Sequence, residues 1–398
     1  MPRRLEQLDA LRGLAAVSVV AGHCLCVPSA FDHTRLAWYL RHSPLGIIRA
    51  GYEAVVFFFL LSGFVLAIPF FSRPVAYGRF VLKRVCRIYI PYYAAMLLAV
   101  ILAASCSRSE VPELGWWVNQ TWTKPLTWSL VVQHVLLVGS FAYASLNTVI
   151  WSLVHEMRIS LLFPLLMVLV TRRGWRMCLG VGVLSSVVGN GIGHAARWGG
   201  WSDADCGLTL HYVGLFIAGA LLARHRAALS ARVVALPRRA KSALALGAVL
   251  CYTSSLWLGP LLSRPVVGQL YSCAKDWGVA GGAAVFIVLA LSSGTLARLL
   301  TTRPLLFLGR TSYSVYLLHG TVLLALVHLL YGSVPVWLIW ALTVAITLPL
   351  SAISYRLTEV PSINLGRRLS SVRGWPSPLS GDVAAVPAVI ESGRAEKA

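Results

Sequence analysis

QLDALRGLAAVSVVAGHCLC, Gln7 to Cys26, decides what kind of protein this is. The stretch is apolar and long enough to be most of a membrane span, yet it carries Asp9 and Arg12 at one end and His23 near the other. A helix turns about 100° and rises about 1.5 Å per residue, so Arg12 and His23 share one face, roughly 16 Å apart. Ionisable groups inside a membrane are costly, and they usually face a polar cavity or a partner. Two readings follow for this helix. Arg12 is an interfacial anchor and His23 a hydrogen-bonded packing residue, or the two line a seam used for chemistry.

The rest of the chain settles the environment. Of its 398 residues 57% are hydrophobic and only 12% charged, and the mean hydropathy is +0.72; this composition belongs to a polytopic helical membrane protein. The formal charge of +21 would suggest nucleic acid in a soluble chain. Here the basic residues fall in short loops between apolar runs, which points to topology and leaves nucleic acid out of the expected partners. No small-residue cleavage site follows the first run, so it reads as a retained helix. The eight cysteines are scattered and form no C-x-x-C, so neither a disulfide framework nor a metal site is expected.

Apolar runs of spanning length occur at about 8–28, 52–71, 88–106, 148–170, 175–193, 207–223, 242–260, 273–292, 311–331 and 335–356. They predict an all-α fold of about ten transmembrane helices. A shorter piece, Leu126 to Val138, reads as interfacial or re-entrant. With the N-terminus inside, 23 lysines and arginines fall in the inner loops and 8 in the outer ones, which predicts that both termini are cytoplasmic and that the protein is a multi-pass protein of the cell membrane. One transmembrane domain, residues 1–372, is expected, followed by a disordered cytoplasmic tail, 373–398, rich in turn formers.

Polar residues recur in four further spans. GYEAVVFFFLLSGFVL, Gly51 to Leu66, has Glu53 at its outer end and Ser62-Gly63 at mid-membrane. Gly63 reads as a helix-packing notch, and Glu53 as either an exposed interfacial carboxylate or a site residue. In FVLKRVCRIYIPYY, Phe80 to Tyr93, Arg84 and Arg87 lie one turn apart. That spacing suits both a phosphate grip and a positive-inside loop. In NTVIWSLVHEMRISLLFPLL, Asn147 to Leu166, Ser152, Glu156 and Ser160 form a polar stripe. A carboxylate at that depth needs a partner, and His23 is the expected one. FLGRTSYSVYLLHG, Phe307 to Gly320, carries Tyr313, Tyr316 and His319.

Taken in this order the segments resemble the acyltransferase-3 family of integral membrane acyltransferases. The resemblance rests on Arg12 and His23, the FF-x-x-SGF piece (Phe58, Phe59, Ser62, Gly63, Phe64), Arg84 and Arg87, WSL-x-x-E (Trp151, Ser152, Leu153, Glu156), SYS-x-YLLH, and Glu359 with Pro361. These anchors run from Leu8 to about Leu369. Met157-Arg158-Ile159-Ser160 and Glu53-Ala54-Val55 depart from the usual family pattern, both beside the expected acceptor pocket.

The resemblance implies transfer of an acyl group, commonly acetyl from acetyl-CoA as co-substrate, to a hydroxyl of a carbohydrate or a glycosylated or other secondary metabolite. Such a reaction needs a base, a group to orient it, and positive charge for the donor's phosphates. The expected assignments are His23 as general base, Glu156 as its orienter, and Arg12, Arg84 and Arg87 as the donor-binding cations. Glu53, Trp151, Ser152 and His319 are expected to line the acceptor site. The competing class is a multi-pass transporter or exporter of a polar small molecule or glycan. No inverted repeat or pair of broken helices at matching positions supports it.

Overall fold

In lipid a backbone polar group has no water to bond, so apolar runs of spanning length close their hydrogen bonds internally as helices. The computed structural model follows that rule over the residues it describes, 5–27, 34–106, 110–111, 113–123, 125–139, 141–198, 204–262 and 268–371. The expected tail, 373–398, lies outside them. In chain order the helices are α1 (Glu6–Leu25), α2 (Arg35–His42), α3 (Gly51–Ala67), α4 (Tyr77–Cys106), α5 (Trp116–Asn119), α6 (Trp128–Gln133), α7 (Ile150–Arg172) and α8 (Trp175–Trp198). They continue with α9 (Ala204–Ala235), α10 (Arg238–Tyr252), α11 (Ser254–Leu262), α12 (Gly268–Ser292), α13 (Gly294–Leu300), α14 (Arg303–Leu330), α15 (Val336–Ser354) and α16 (Val360–Ser371). A π-helical turn, Tyr355–Glu359, joins the last two. The chain is an all-α polytopic membrane protein.

Among the described residues 9 helices are long and apolar enough to cross a bilayer, one fewer than expected. The difference lies at 242–260, which is two helices, α10 and α11. At the break, the Thr253 backbone N–H and side-chain hydroxyl both donate to Val249 O, at 3.0 and 2.8 Å. A threonine hydroxyl that takes a carbonyl of the preceding turn competes with the helix and bends it. The pair still runs the length of the bundle. Leu244 of α10 packs with Val233 of α9 and Val288 and Leu289 of α12 at one end, whereas Ser255 of α11 donates to Glu53 at the start of α3 at the other. The short piece 126–138 holds only α6 and exposes Trp128, Val132 and Leu136, so it does not span.

The site is positioned by an unusual pairing, the first span lying parallel to α14. At Gly13 a Cβ would come within 2.6 Å of Gly309 N, and at Gly309 one would come within 2.5 Å of Asp9 C and O. Only glycines permit this backbone approach. The register offset is 296 residues at His23 and His319, and it is the same between Gly13 and Gly309. The two helices therefore stay in step over about three turns. Gly63 of α3 is the packing notch the sequence suggests, since a Cβ there would meet Phe216 O of α9 at 2.3 Å.

Candidate active site

Two polar clusters sit along this helix pair, one near Asp9 and one near His23. In the first, Glu156 and Ser160 of α7 share a face at i, i+4, and Arg84 of α4 meets both. Its Nη2 lies 2.6 Å from Glu156 Oε1, and its Nε donates to Ser160 Oγ at 3.2 Å. Ser62 of α3 donates to the same carboxylate oxygen at 3.4 Å. Arg87, one turn further along α4, feels the charges of Arg12, Arg84, Glu359 and Glu156, yet its side chain is exposed. Arg12 is paired with Asp9 at 3.6 Å. Glu359, on the π-helical turn, accepts from Ser314 N at 3.0 Å and from the Ser314 hydroxyl. Four elements thus gather three guanidiniums and three carboxylates, with Arg84 the most fully committed cation.

This arrangement corrects one expectation. Glu156 pairs with Arg84, not His23. Ser152, one turn before Glu156, is level with Tyr316, its Oγ 2.7 Å from the phenol oxygen. One turn further takes the carboxylate to the arginines, where a charged partner satisfies it better than a neutral imidazole.

His23 has a different partner. Its Nδ1 is 2.8 Å from His319 Nε2, and His319 Nδ1 is 2.9 Å from Val315 O. A carbonyl only accepts, so His319 Nδ1 carries the proton and its Nε2 is left as an acceptor. His23 Nδ1 must then donate, which leaves the lone pair on His23 Nε2. The two rings are inclined by only 12°. His319 is fully buried, whereas His23 keeps part of its surface accessible. The indole of Trp117 stacks on His23, ring centres 4.5 Å apart and planes inclined by 24°.

The two clusters are joined by side chains that repeat at helical spacing. On α3, Phe58 packs edge-on against Tyr316 at 5.8 Å, and Ser62 reaches Glu156. On α7, Ser152 meets Tyr316 and Glu156 meets Arg84. On α14, Tyr313 donates to Ile88 O of α4 at 3.1 Å, and Tyr316 and His319 follow at one-turn steps. With Arg12 and His23 on α1, four helices share one seam.

Glu53 and Trp151 belong elsewhere. Glu53 accepts from Ser255 beside a second buried network. There Asp276 Oδ2 accepts from Tyr52 OH at 2.7 Å and from His211 Nε2 at 2.9 Å, and Lys275 lies 3.7 Å from Asp276 Oδ1. Trp151 faces His155 and Tyr212, at 5.9 and 6.1 Å. Neither shares a hydrogen bond or ring contact with His23. Sequence reasoning named His319 and Tyr316 but not their contacts, and it missed Trp117. Tyr316 stands one turn before His319, a spacing that could have linked them. Trp117 lies in a loop with no period to place it.

The sequence matches the family model described as an acyltransferase domain, Acyl_transf_3, over residues 5–356. It is also similar to the acyltransferase MdmB of Streptomyces mycarofaciens, 31% identical over 193 residues that make up 46% of each chain. The aligned part is therefore about half the length of that relative. No solved structure matches the chain. The family match extends from before Arg12 to beyond His319 and so takes in the seam and every residue of the two clusters but Glu359; the chain, a polytopic membrane protein, belongs to the Acyl_transf_3 family, described as an acyltransferase domain.

Proposed function

We propose that the protein moves an acyl group, most simply acetyl, from acyl-CoA to a hydroxyl of a carbohydrate-type or glycosylated secondary-metabolite acceptor, with His23 as general base. The observation that carries this reading is the relay from Val315 O through His319 to His23, which leaves a lone pair on His23 Nε2. The acceptor oxygen attacks the thioester carbonyl and its proton goes to His23 Nε2. The C–S bond then breaks, and the proton passes to the CoA sulfur, giving an ester and a free thiol. His319 is the orienter, the part first expected of Glu156.

The donor's phosphates are assigned to the Asp9 end, with Arg87 and Arg12 as the main contacts. Arg84 already serves Glu156 and Ser160 and helps shape the mouth. With an inside N-terminus in the cell membrane, as the loop charges favour, that end faces the cytoplasm, where acyl-CoA is made. Ser152, Tyr316 and Phe58 flank the path towards His23. Glu53 and Trp151 would touch only an acceptor large enough to extend to α9 and α12.

The test uses host membranes containing the protein and [14C]acetyl-CoA. Label should enter a host-membrane fraction with wild-type protein and fall at least 100-fold with His23→Gln. Wild-type incorporation by His23→Gln would remove His23 as base, and thiol release without any labelled product would remove acyl transfer to a membrane-held acceptor. Coenzyme A binding unchanged in Arg12→Ala with Arg87→Ala would remove the phosphate assignment.

A further inference from the structure

Trp117 is not used by the reaction as written above, yet it holds a defined place on the base. Its turn, α5, is tied to the helix that carries His23: Gly115 N donates to Val27 O at 2.9 Å, and a Cβ at Gly115 would come within 2.4 Å of Cys26 O. The same turn is closed by Asn119, which accepts from Val111 N at 3.1 Å and donates to Val111 O and Leu114 O at 2.9 and 3.2 Å. Neighbouring tryptophans part company here. Trp116 is 75% exposed and Trp117 only 5%, so burial of Trp117 is specific to its side of the turn. His23 is thus held in its plane by His319 and on its face by the indole.

We propose that Trp117 is a positioning residue of the acyl transfer: its indole fixes the His23 ring against tilting and stabilises the imidazolium formed when His23 takes the hydroxyl proton. The inference rests on His23 being the base. A cation over an indole face within about 6 Å is attracted by the ring quadrupole, most strongly where water is excluded. The 4.5 Å stack meets that geometry, and a β-branched or aliphatic side chain would fill the space without the attraction.

The test measures the proton on His23 directly and needs no acceptor. Purified full-length protein in detergent, labelled with [13Cε1]histidine, is titrated by NMR, with the His23 resonance assigned by its loss in His23→Gln. The titratable group in contact with this ring is His319 of α14, and the nearest titratable neighbours in the chain are Cys24, next on α1, and Cys26, just beyond it. All are common to wild type and variant, so their contribution cancels in the comparison. Trp117→Leu should weaken protonation of His23 about tenfold relative to wild type, moving the midpoint by about one pH unit, and Trp117→Phe should fall between. Equal midpoints in wild type and Trp117→Leu, with unchanged thermal unfolding, would overturn the proposal. So would a wild-type His23 that takes up no proton across the folded range. Failure of the base assignment is separate: it appears as [14C]acetyl transfer by His23→Gln, whatever the titration gives.

Discussion

Gly309→Ala adds one methyl group where two helices touch backbone to backbone. Its Cβ would lie 2.5 Å from Asp9 C and O and 2.9 Å from Ala10 N, all main-chain atoms that cannot rotate away. Carbon contacts are comfortable from about 3.5 Å, so α1 and α14 must separate by about 1 Å. Overpacking of this kind costs about 1–3 kcal/mol. A rigid separation of that size would also stretch the 2.8 Å bond between His23 and His319 beyond hydrogen-bonding range. Gly247→Ala in α10 is the control, because nothing lies within 4 Å of a Cβ there. In a helix interior alanine is favoured over glycine by about 1 kcal/mol, so this substitution should stabilise. Alanine gains the same propensity at Gly309, also inside a helix, so the two variants should differ by the overpacking term alone, about 1–3 kcal/mol. Unfolding is followed with a thiol-reactive fluorophore, since Cys24, Cys86, Cys178 and Cys273 are buried and free. Gly309→Ala unfolding at or above the temperature of Gly247→Ala would refute the close packing on which the histidine pair depends.

Three further outcomes follow from the same geometry. His319→Phe removes the acceptor for His23 Nδ1 and should slow [14C]acetyl transfer about tenfold or more, the value of about 1.5 kcal/mol for one orienting hydrogen bond, whereas His319→Gln, which keeps an acceptor, should retain more activity. Glu156→Gln leaves Arg84 facing a neutral amide. The pair's side chains are 10% and 24% exposed, so the loss should be about 1–2 kcal/mol, well below that of a fully buried pair; calorimetry should show altered coenzyme A binding while the His23 resonance stays in place. Asp276→Leu strips the acceptor from Tyr52 and His211 and should cost about 2–5 kcal/mol in thermal unfolding, with Asp276→Asn costing clearly less because its carbonyl still accepts.

Hydropathy and helical period carried the architecture, because a span announces itself locally through its length and its apolar side chains. The break in 242–260 was hidden for the same reason. Thr253, Ser254 and Ser255 barely change hydropathy, and the break shows only in the Thr253 backbone, which leaves helical geometry at φ −94° and ψ 4°. At the site, spacing within one helix was legible: Ser152, Glu156 and Ser160 do share a face, as do Arg84 and Arg87. Spacing does not give the axial offset between two helices, and that offset decides whether Glu156 is level with a histidine or an arginine. The Gly13 and Gly309 contact sets that offset for α1 and α14, and its partners lie far apart in the chain. Trp117 was out of reach because α5 is a four-residue turn held by loop hydrogen bonds, not by period.

The distance along the chain between the two histidines also sets a time. His23 and His319 are 296 residues apart, so at about 5–20 residues per second the ribosome needs roughly 15–60 s to supply the second once the first has emerged. Throughout that interval α1 is in the membrane without the helix its glycine face was shaped for. His23 acquires its hydrogen-bonding partner only after most of the other spans have been inserted, and a chain stopped before α14 leaves a membrane protein with Arg12, Arg84 and Arg87 but no histidine pair.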